Sequence, residues 1–418
     1  MSGSERPNIV LISVDSLRAD HCGLYGYEQD TTPNLSAIAD ESVIFENAVA
    51  PAAFTEQSMP AIFTGEFNMP ADPDTNEEHT AKRPFLPELL ANRGYSTAGF
   101  TPNPFTSRNF GFSRGFDEFH DFFGNDSRAD IAKTLFSRAA QGDIVEAIRV
   151  GANMAGFNIP GIGNQSIPFR AYDDMVMDWV EKSSEPFFLW IFLLEVHSPY
   201  RPTKEYREMS LPRMLYLNFV RSHLWDRDPD KGETQQLLQL YDGTIRQIDD
   251  VFGTLMQEFQ EYDPVFIVHS DHGESFGEHD NFGHNSYLYE ENIHVPFIIA
   301  NAGLSGRVQE PISLRELPDI VTEIADNGEF NPTSFTRDQV LARVGHEKIA
   351  ARGEETKYIL NRDSAPEYYD LAADPSETEL ANRSHVEEDA LRRITSHVNG
   401  ETEKQLLAHI VSSIEEGV

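Results

Sequence analysis

Two short apolar runs, some 250 residues apart, each end in an acid. Together they constrain the fold more than any other feature. Val265-Phe266-Ile267-Val268-His269-Ser270 enters after Pro264 and breaks into Asp271-His272-Gly273-Glu274-Ser275. Asn8-Ile9-Val10-Leu11-Ile12-Ser13-Val14 stops at Asp15-Ser16. Runs of bulky apolar residues without alternation read as strands of a parallel sheet buried on both faces. Open α/β sheets place their sites outside the carboxyl ends of such strands. Asp15, Asp271 and His272 are therefore expected at one sheet edge. Two carboxylates brought that close raise each other's pKa unless a cation lies between them, so the pair asks for a divalent metal with His272 as a neutral nitrogen ligand. Taken alone, Asp271 could cap a helix and His272 could be a satisfied loop histidine; the second strand of the same design favours chemistry.

A third buried run, Pro186–Leu194, delivers Glu195 and His197 to a strand end, and Glu278-His279-Asp280 and His284 follow soon after Asp271. Helical spacing is read over Thr32–Glu41, Ala61–Thr64, Ala81–Leu90, Ala171–Lys182 and Thr234–Gln260, with short strands at Val43–Val49 and Arg93–Phe100. Arg18 and Asp20 are read as bracing the turn after the first strand, and Phe110–Phe123 as surface structure. Residues 126–165 and 203–230 look like insertions near the mouth of the site, the second a long irregular connection lying over it. Beyond Asn301, Tyr358–Leu360 and Tyr368–Leu371 read as antiparallel strands, and 390–398 and 403–414 as helices packing back.

The chain has 418 residues, enough for one large α/β domain and a smaller appendage. With 33 basic and 69 acidic residues its formal charge is −36, spread along the length as on a surface adapted to high salt. Nucleic acid and anionic membrane are poor partners for such a surface. A single cysteine, Cys22, excludes an internal disulfide. No apolar run approaches membrane-spanning length. The expectation is a soluble, cytoplasmic protein.

Several strings, in order, resemble the sulfatase family of the alkaline phosphatase superfamily. They are Val14-Asp15-Ser16-Leu17-Arg18-Ala19-Asp20 with Tyr25-Gly26, then Thr64-Gly65, Glu195–Tyr200, Ser270–Glu274 with Gly277-Glu278-His279, Val295–Ile299, Tyr368–Leu371 and Asp374–Glu377. The resemblance implies an α/β, alkaline-phosphatase-like, mixed and mostly parallel sheet sandwiched by helices. Residues 1–310 would form this catalytic domain, and 311–418 a small C-terminal α+β subdomain with closing helices. The loop after Phe100 borders the substrate in the family, which makes Asn103 a candidate substrate contact, although it could be an ordinary turn residue.

Sulfatases carry a formylglycine made from Cys or Ser in the pattern Cys/Ser-x-Pro/Ala-x-Arg, nine residues before the Thr of Thr-Gly. Here that position is Thr55, and Thr55-Glu56-Gln57-Ser58-Met59 lacks the pattern. A register starting at Ser58 is too close to Thr64-Gly65 and ends in Ile62 where Arg is required. Related phosphodiesterases and phosphoethanolamine or glycerolphosphate transferases use an unmodified threonine in this slot. An alkoxide must form a plain ester that water or another acceptor cleaves, a route phosphoryl chemistry takes readily. Thr55 could instead be a simple helix N-cap.

The resemblance thus implies a hydrolase or transferase of small phosphate or sulfate esters. Asp15, Asp271 and His272 would hold one divalent cation, with Thr55 as nucleophile and further ligand, and His197 and His284 would stabilise the leaving oxygen and the transferred group. Ser16 replaces a second family aspartate, which favours Mn2+, Zn2+ or Mg2+ over Ca2+. Glu195, Glu278 and His279 are not spaced for a second metal. The alternatives are a sulfatase working without formylglycine and an inactive binding protein on the same scaffold.

Overall fold

The computed structural model describes residues 6–67, 83–122, 167–221, 227–284, 286–345, 347–361 and 364–381. Its centre is an eight-stranded sheet in the order Gly306–Val308, Ser42–Phe45, Phe297–Ala300, Val265–Ser270, Ile9–Val14, Phe187–Leu193, Ser96–Phe100, Glu118–His120. Phe297–Ala300 runs antiparallel to both neighbours, and every other pairing in this sheet is parallel. The two runs that end in acids are adjacent and in register, Ile9 opposite Val265 and Val14 opposite Ser270. Asp15 and Asp271 therefore leave the sheet side by side.

Side chains alternate across the central strand. Val10, Ile12 and Val14 face a core shared with the helices Asp173–Lys182 and Lys231–Glu258, while Ile9 and Leu11 face one shared with Thr55–Thr64 and Leu317–Asn327. Each of these buried aliphatics contributes about 1.5–3 kcal/mol, and that is why both faces of the strand are apolar. The long helix starts at a reciprocal cap, Asp230 accepting from the Gly232 and Glu233 amides while Glu233 accepts from the Asp230 amide. A four-stranded antiparallel meander, Gln339–Val344, Lys348–Gly353, Thr356–Asn361 and Glu367–Asp370, includes both strands expected near the end of the chain.

Several local expectations change. The connection 203–230 is not irregular throughout: Leu211–Arg221 is a helix whose Met214, Leu217 and Val220 are buried. The run Val43–Val49 divides into Ser42–Phe45 in the main sheet and Ala48–Val49 paired with Ile312–Ser313. Glu118–His120, within the segment read as surface structure, is an edge strand. The helix expected from Ala61 begins at Thr55 and carries Pro60 inside it. An internal proline costs a helix about 3 kcal/mol; the buried Ser58, Met59, Ile62 and Phe63 offset it. The insertion at 126–165 and the helices expected at 390–398 and 403–414 lie outside the described residues. Among the described residues no helix is long and apolar enough to cross a membrane.

Candidate active site

The site forms where four loops leave the carboxyl ends of the parallel strands. Asp15, Asp271 and His272 are fully buried, and each offers a ligand atom within 4.8 Å of the others. His272 Nε2 lies 3.6 Å from Asp15 and 3.5 Å from Asp271. Its Nδ1 is 2.9 Å from the Gly273 carbonyl, an acceptor, so Nδ1 carries the proton and Nε2 keeps its lone pair toward the carboxylates. Asp271 Oδ1 accepts from the Ser16 and His272 amides, while Oδ2 is buried without a hydrogen-bond partner. Two carboxylates, one of them with this orphaned oxygen, and an imidazole lone pair are a donor set that fits one divalent cation.

Thr55 is the first residue of its helix, and its hydroxyl lies 3.2 Å from His272 Nε2. The residue preceding the helix is Phe54, so Thr55 is not the N-cap. Ser58, the rival position, is fully buried and donates to the Asp271 carbonyl at 2.6 Å. That bond fixes the Thr55 helix to the loop carrying Asp271 and His272. Asn103 sits beside Asp15: its amide nitrogen donates to Asp15 Oδ2 at 2.7 Å and its amide oxygen accepts from the Phe105 amide. From there it props the carboxylate. Ser16 donates to the other oxygen of Asp15 at 2.7 Å.

Burial and the adjacent Asp15 charge push the Asp271 carboxyl well above its usual range. Burial, helped by His284, holds His272 down at about 4, which keeps it a neutral ligand. His197 and His284 flank the group, the ring of His284 lying 4.5 Å from that of His272 and 4.9 Å from that of His197. Burial lowers the pKa of His197, whose Nδ1 donates to the Ser198 carbonyl at 2.5 Å. For His284 burial acts the same way, but the Glu274 carboxylate at 3.2 Å outweighs it and the net shift is upward. Glu195 accepts from the Phe169 amide, Glu278 pairs with Arg18, and His279 lies between Glu291 and the Glu377 carbonyl. These three are engaged outside the Asp15, Asp271 and His272 group. Arg18 also grips Asp20 through two nitrogens, the brace expected of that pair.

The family profile described as Sulfatase matches residues 7–326. The chain belongs to the sulfatase family. An arylsulfatase of Clostridium perfringens is 26% identical, with 93% of each chain covered. Among solved structures, a phosphonate monoester hydrolase of Agrobacterium radiobacter superposes with a TM-score of 0.68 at 17% identity, covering 94% of this chain and 95% of that one. The C-terminal periplasmic domain of EcEptC from Escherichia coli, in complex with Zn, gives a TM-score of 0.56 at 19% identity over 84% of this chain and 94% of that one. At such identities the structural matches establish the fold, an alkaline-phosphatase-like sheet with a small C-terminal antiparallel sheet.

Sequence reasoning gave Glu274 no role. It is fully buried; Oε1 accepts from His284 Nδ1 and from Arg221 Nη2, each at 3.2 Å, and Oε2 from the Tyr200 hydroxyl at 2.8 Å. The signal was present, an acid three residues after Asp271 in a stretch otherwise passing into the core. Its partners lie 10, 53 and 74 residues away and could not be read from spacing.

Proposed function

We propose that this family member is a metal-dependent phosphoric ester hydrolase or transferase whose nucleophile is the unmodified Thr55 hydroxyl. One observation carries the reading: a buried threonine at a helix start, not spent on capping, 3.2 Å from His272 Nε2 inside a two-carboxylate, one-imidazole cluster. A divalent cation held by Asp15, Asp271 and His272 would acidify that hydroxyl and offset charge on a non-bridging substrate oxygen. Zn2+, Mn2+ and Mg2+ suit this donor set.

The Thr55 hydroxyl gives its proton to solvent, and Oγ1 then forms a bond to phosphorus as the bond to the alcohol oxygen breaks. The departing oxygen is met by His284, whose Nδ1 is engaged by Glu274, so that Nε2 is the nitrogen available to give up a proton. His197 is suited to a different part than charge stabilisation. Its Nδ1 donates to Ser198, which leaves a lone pair on Nε2, and burial favours the neutral ring. It accepts the proton of the water or acceptor alcohol that attacks the threonyl phosphate, and the P–O bond to Thr55 then breaks, the departing Oγ1 taking a proton back from solvent to restore the hydroxyl. Asn103 and Ser16 hold Asp15 throughout.

Sulfuric ester hydrolysis at the same hydroxyl is the second reading, favoured by the arylsulfatase relative. Metal-loaded protein, assayed in high salt to screen its −36 charge, should cleave aryl phosphates or phosphodiesters faster than aryl sulfates. Faster sulfate turnover reverses that order, and no turnover of any ester supports a binding scaffold. Thr55→Ala should reduce turnover by at least about 10³-fold with an unchanged thermal midpoint; retained activity would move the nucleophile elsewhere.

A further inference from the structure

We infer that Arg221 is a positioning residue for this reaction, acting through Glu274 to hold His284 by Nδ1 and leave Nε2 for the departing oxygen. The inference rests on the role given above to His284. The three side chains come from separate elements: the end of the helix Leu211–Arg221, the turn after Val265–Ser270, and the loop after Phe282–Gly283.

Glu274 receives three donors, with Arg221 and His284 sharing Oε1 and Tyr200 on Oε2. Tyr200 and His284 alone give one bond per oxygen, which lets the carboxylate rock about the line joining them. Arg221 adds the contact that resists this rocking, and burial at 12% side-chain exposure keeps water from replacing it. The guanidinium is itself placed over the Tyr200 ring, 5.6 Å from the centroid. It also lies against the strand before His284: a Cβ built on Gly283 would stand 3.1 Å from Arg221 Nη2, and Gly283 has a φ of +98° that disfavours other residues. Arg221 thus touches both the carboxylate that holds the imidazole and the backbone that carries it. A purely structural ion pair has no need to share its acceptor oxygen with a histidine facing the site. Because Arg221 ends a helix in the 203–230 connection, that connection is mechanically joined to the group that meets the leaving oxygen.

The test is a leaving-group series of aryl esters, of whichever class the wild-type protein cleaves, with Arg221→Gln and Arg221→Lys. If Arg221 acts on the leaving oxygen through His284, kcat for Arg221→Gln falls about 10- to 100-fold on the poorest leaving groups. The loss shrinks to under about 3-fold on nitrophenyl esters, where little proton donation is needed, with KM nearly unchanged. Arg221→Lys keeps the buried charge, and so the fold if Arg221→Gln fails to reach it, and shows the same slope with a smaller loss. A loss of equal size across the series, or none, overturns the inference. A second readout needs no turnover: the downfield Nδ1–H proton resonance of His284, identified by its disappearance in His284→Gln, should broaden or vanish in Arg221→Gln of the metal-loaded protein. An intact resonance overturns the inference even if the protein acts on sulfate or on no ester at all, so its failure is separable from failure of the proposed function.

Discussion

Two pairs of carboxylates packed inside the described residues are balanced in opposite ways. Glu290 and Glu377 meet at Lys357, whose ammonium lies 3.1 Å from the first and 2.9 Å from the second, and Arg352 stands 3.1 Å from Glu290. Burial works against ionisation there, yet Arg352 and Lys357 hold Glu290 well below the usual carboxylate range, while burial leaves Glu377, which shares the lysine, at about 7. Asp15 and Asp271 have no lysine or arginine partner among the described residues; what faces them is neutral His272 and the Thr55 hydroxyl. The first pair is closed by the chain's own cations and ties the C-terminal meander to the segment after His284. The second is left open toward an ion from solution. Burial is common to both, so the presence of a resident cation is what separates a structural cluster from a reactive one.

Exchanging one residue of each cluster should give opposite outcomes. Asp271→Asn should lose bound metal, read by elemental analysis, and reduce turnover by at least about 10³-fold, while raising the thermal midpoint of the metal-free protein at a pH above the raised Asp271 value, where it removes a repelling charge. Lys357→Met should keep its metal and lose about 3–5 kcal/mol in denaturant unfolding, because Glu377 is left buried without a cation and Glu290 keeps Arg352 alone. If both changes destabilised the protein alike and left metal content alone, the contrast would be broken. A smaller effect sharpens it. The Asp271 carboxyl is raised in the folded protein, so the native state holds a proton that the unfolded chain releases near its ordinary pKa of about 3.9. Metal-free protein should therefore lose stability as pH climbs from that value through the raised one. Added divalent cation should remove the slope, and Asp271→Asn should abolish it with or without cation.

The open pair was legible because both its members close apolar runs, and strand ends in an α/β sheet are few. The place of Thr55 beside His272 was legible through its spacing from Thr64-Gly65, which one helix spans. The closed pair was not. Lys357 stands in Thr356–Asn361, where a lysine among apolar residues ordinarily reads as facing solvent, and it is fully buried only because the meander folds onto Glu290 and Glu377. Asn103 was placed in the right loop, but its attachment to Asp15 spans 88 residues and no local pattern encodes it. The helix Leu211–Arg221 was missed as a helix because Pro212, flanking charges and the polar residues around it obscure its period; its Met214, Leu217 and Val220 stripe is clear once the core is known. Local chemistry at the ends of apolar runs survives translation into sequence, whereas partners supplied by distant segments do not.

The smallest expected effect tests whether the two clusters are independent. His279 sits on the segment between Asp271 and Glu290, stacked 3.6 Å from Tyr289, with Nδ1 2.9 Å from Glu291 and Nε2 3.0 Å from the Glu377 carbonyl. Both nitrogens face acceptors, so both must donate. Burial opposes the charged ring, but the Glu291 bond and its companions raise it to about 9. A histidine raised above its unfolded value of about 6.5 stabilises fully below that pH and loses its contribution as pH rises through about 9. Between these values the wild-type thermal midpoint should decline and that of His279→Gln should stay level, a difference under about 1 kcal/mol because solvent screens part of the interaction. Metal content should not change in the variant. A loss of metal together with the lost slope would mean that the Glu377 cluster positions the segment leading back to Asp271 and His272, and the division between a closed structural pair and an open reactive one would have to be redrawn as a single coupled system.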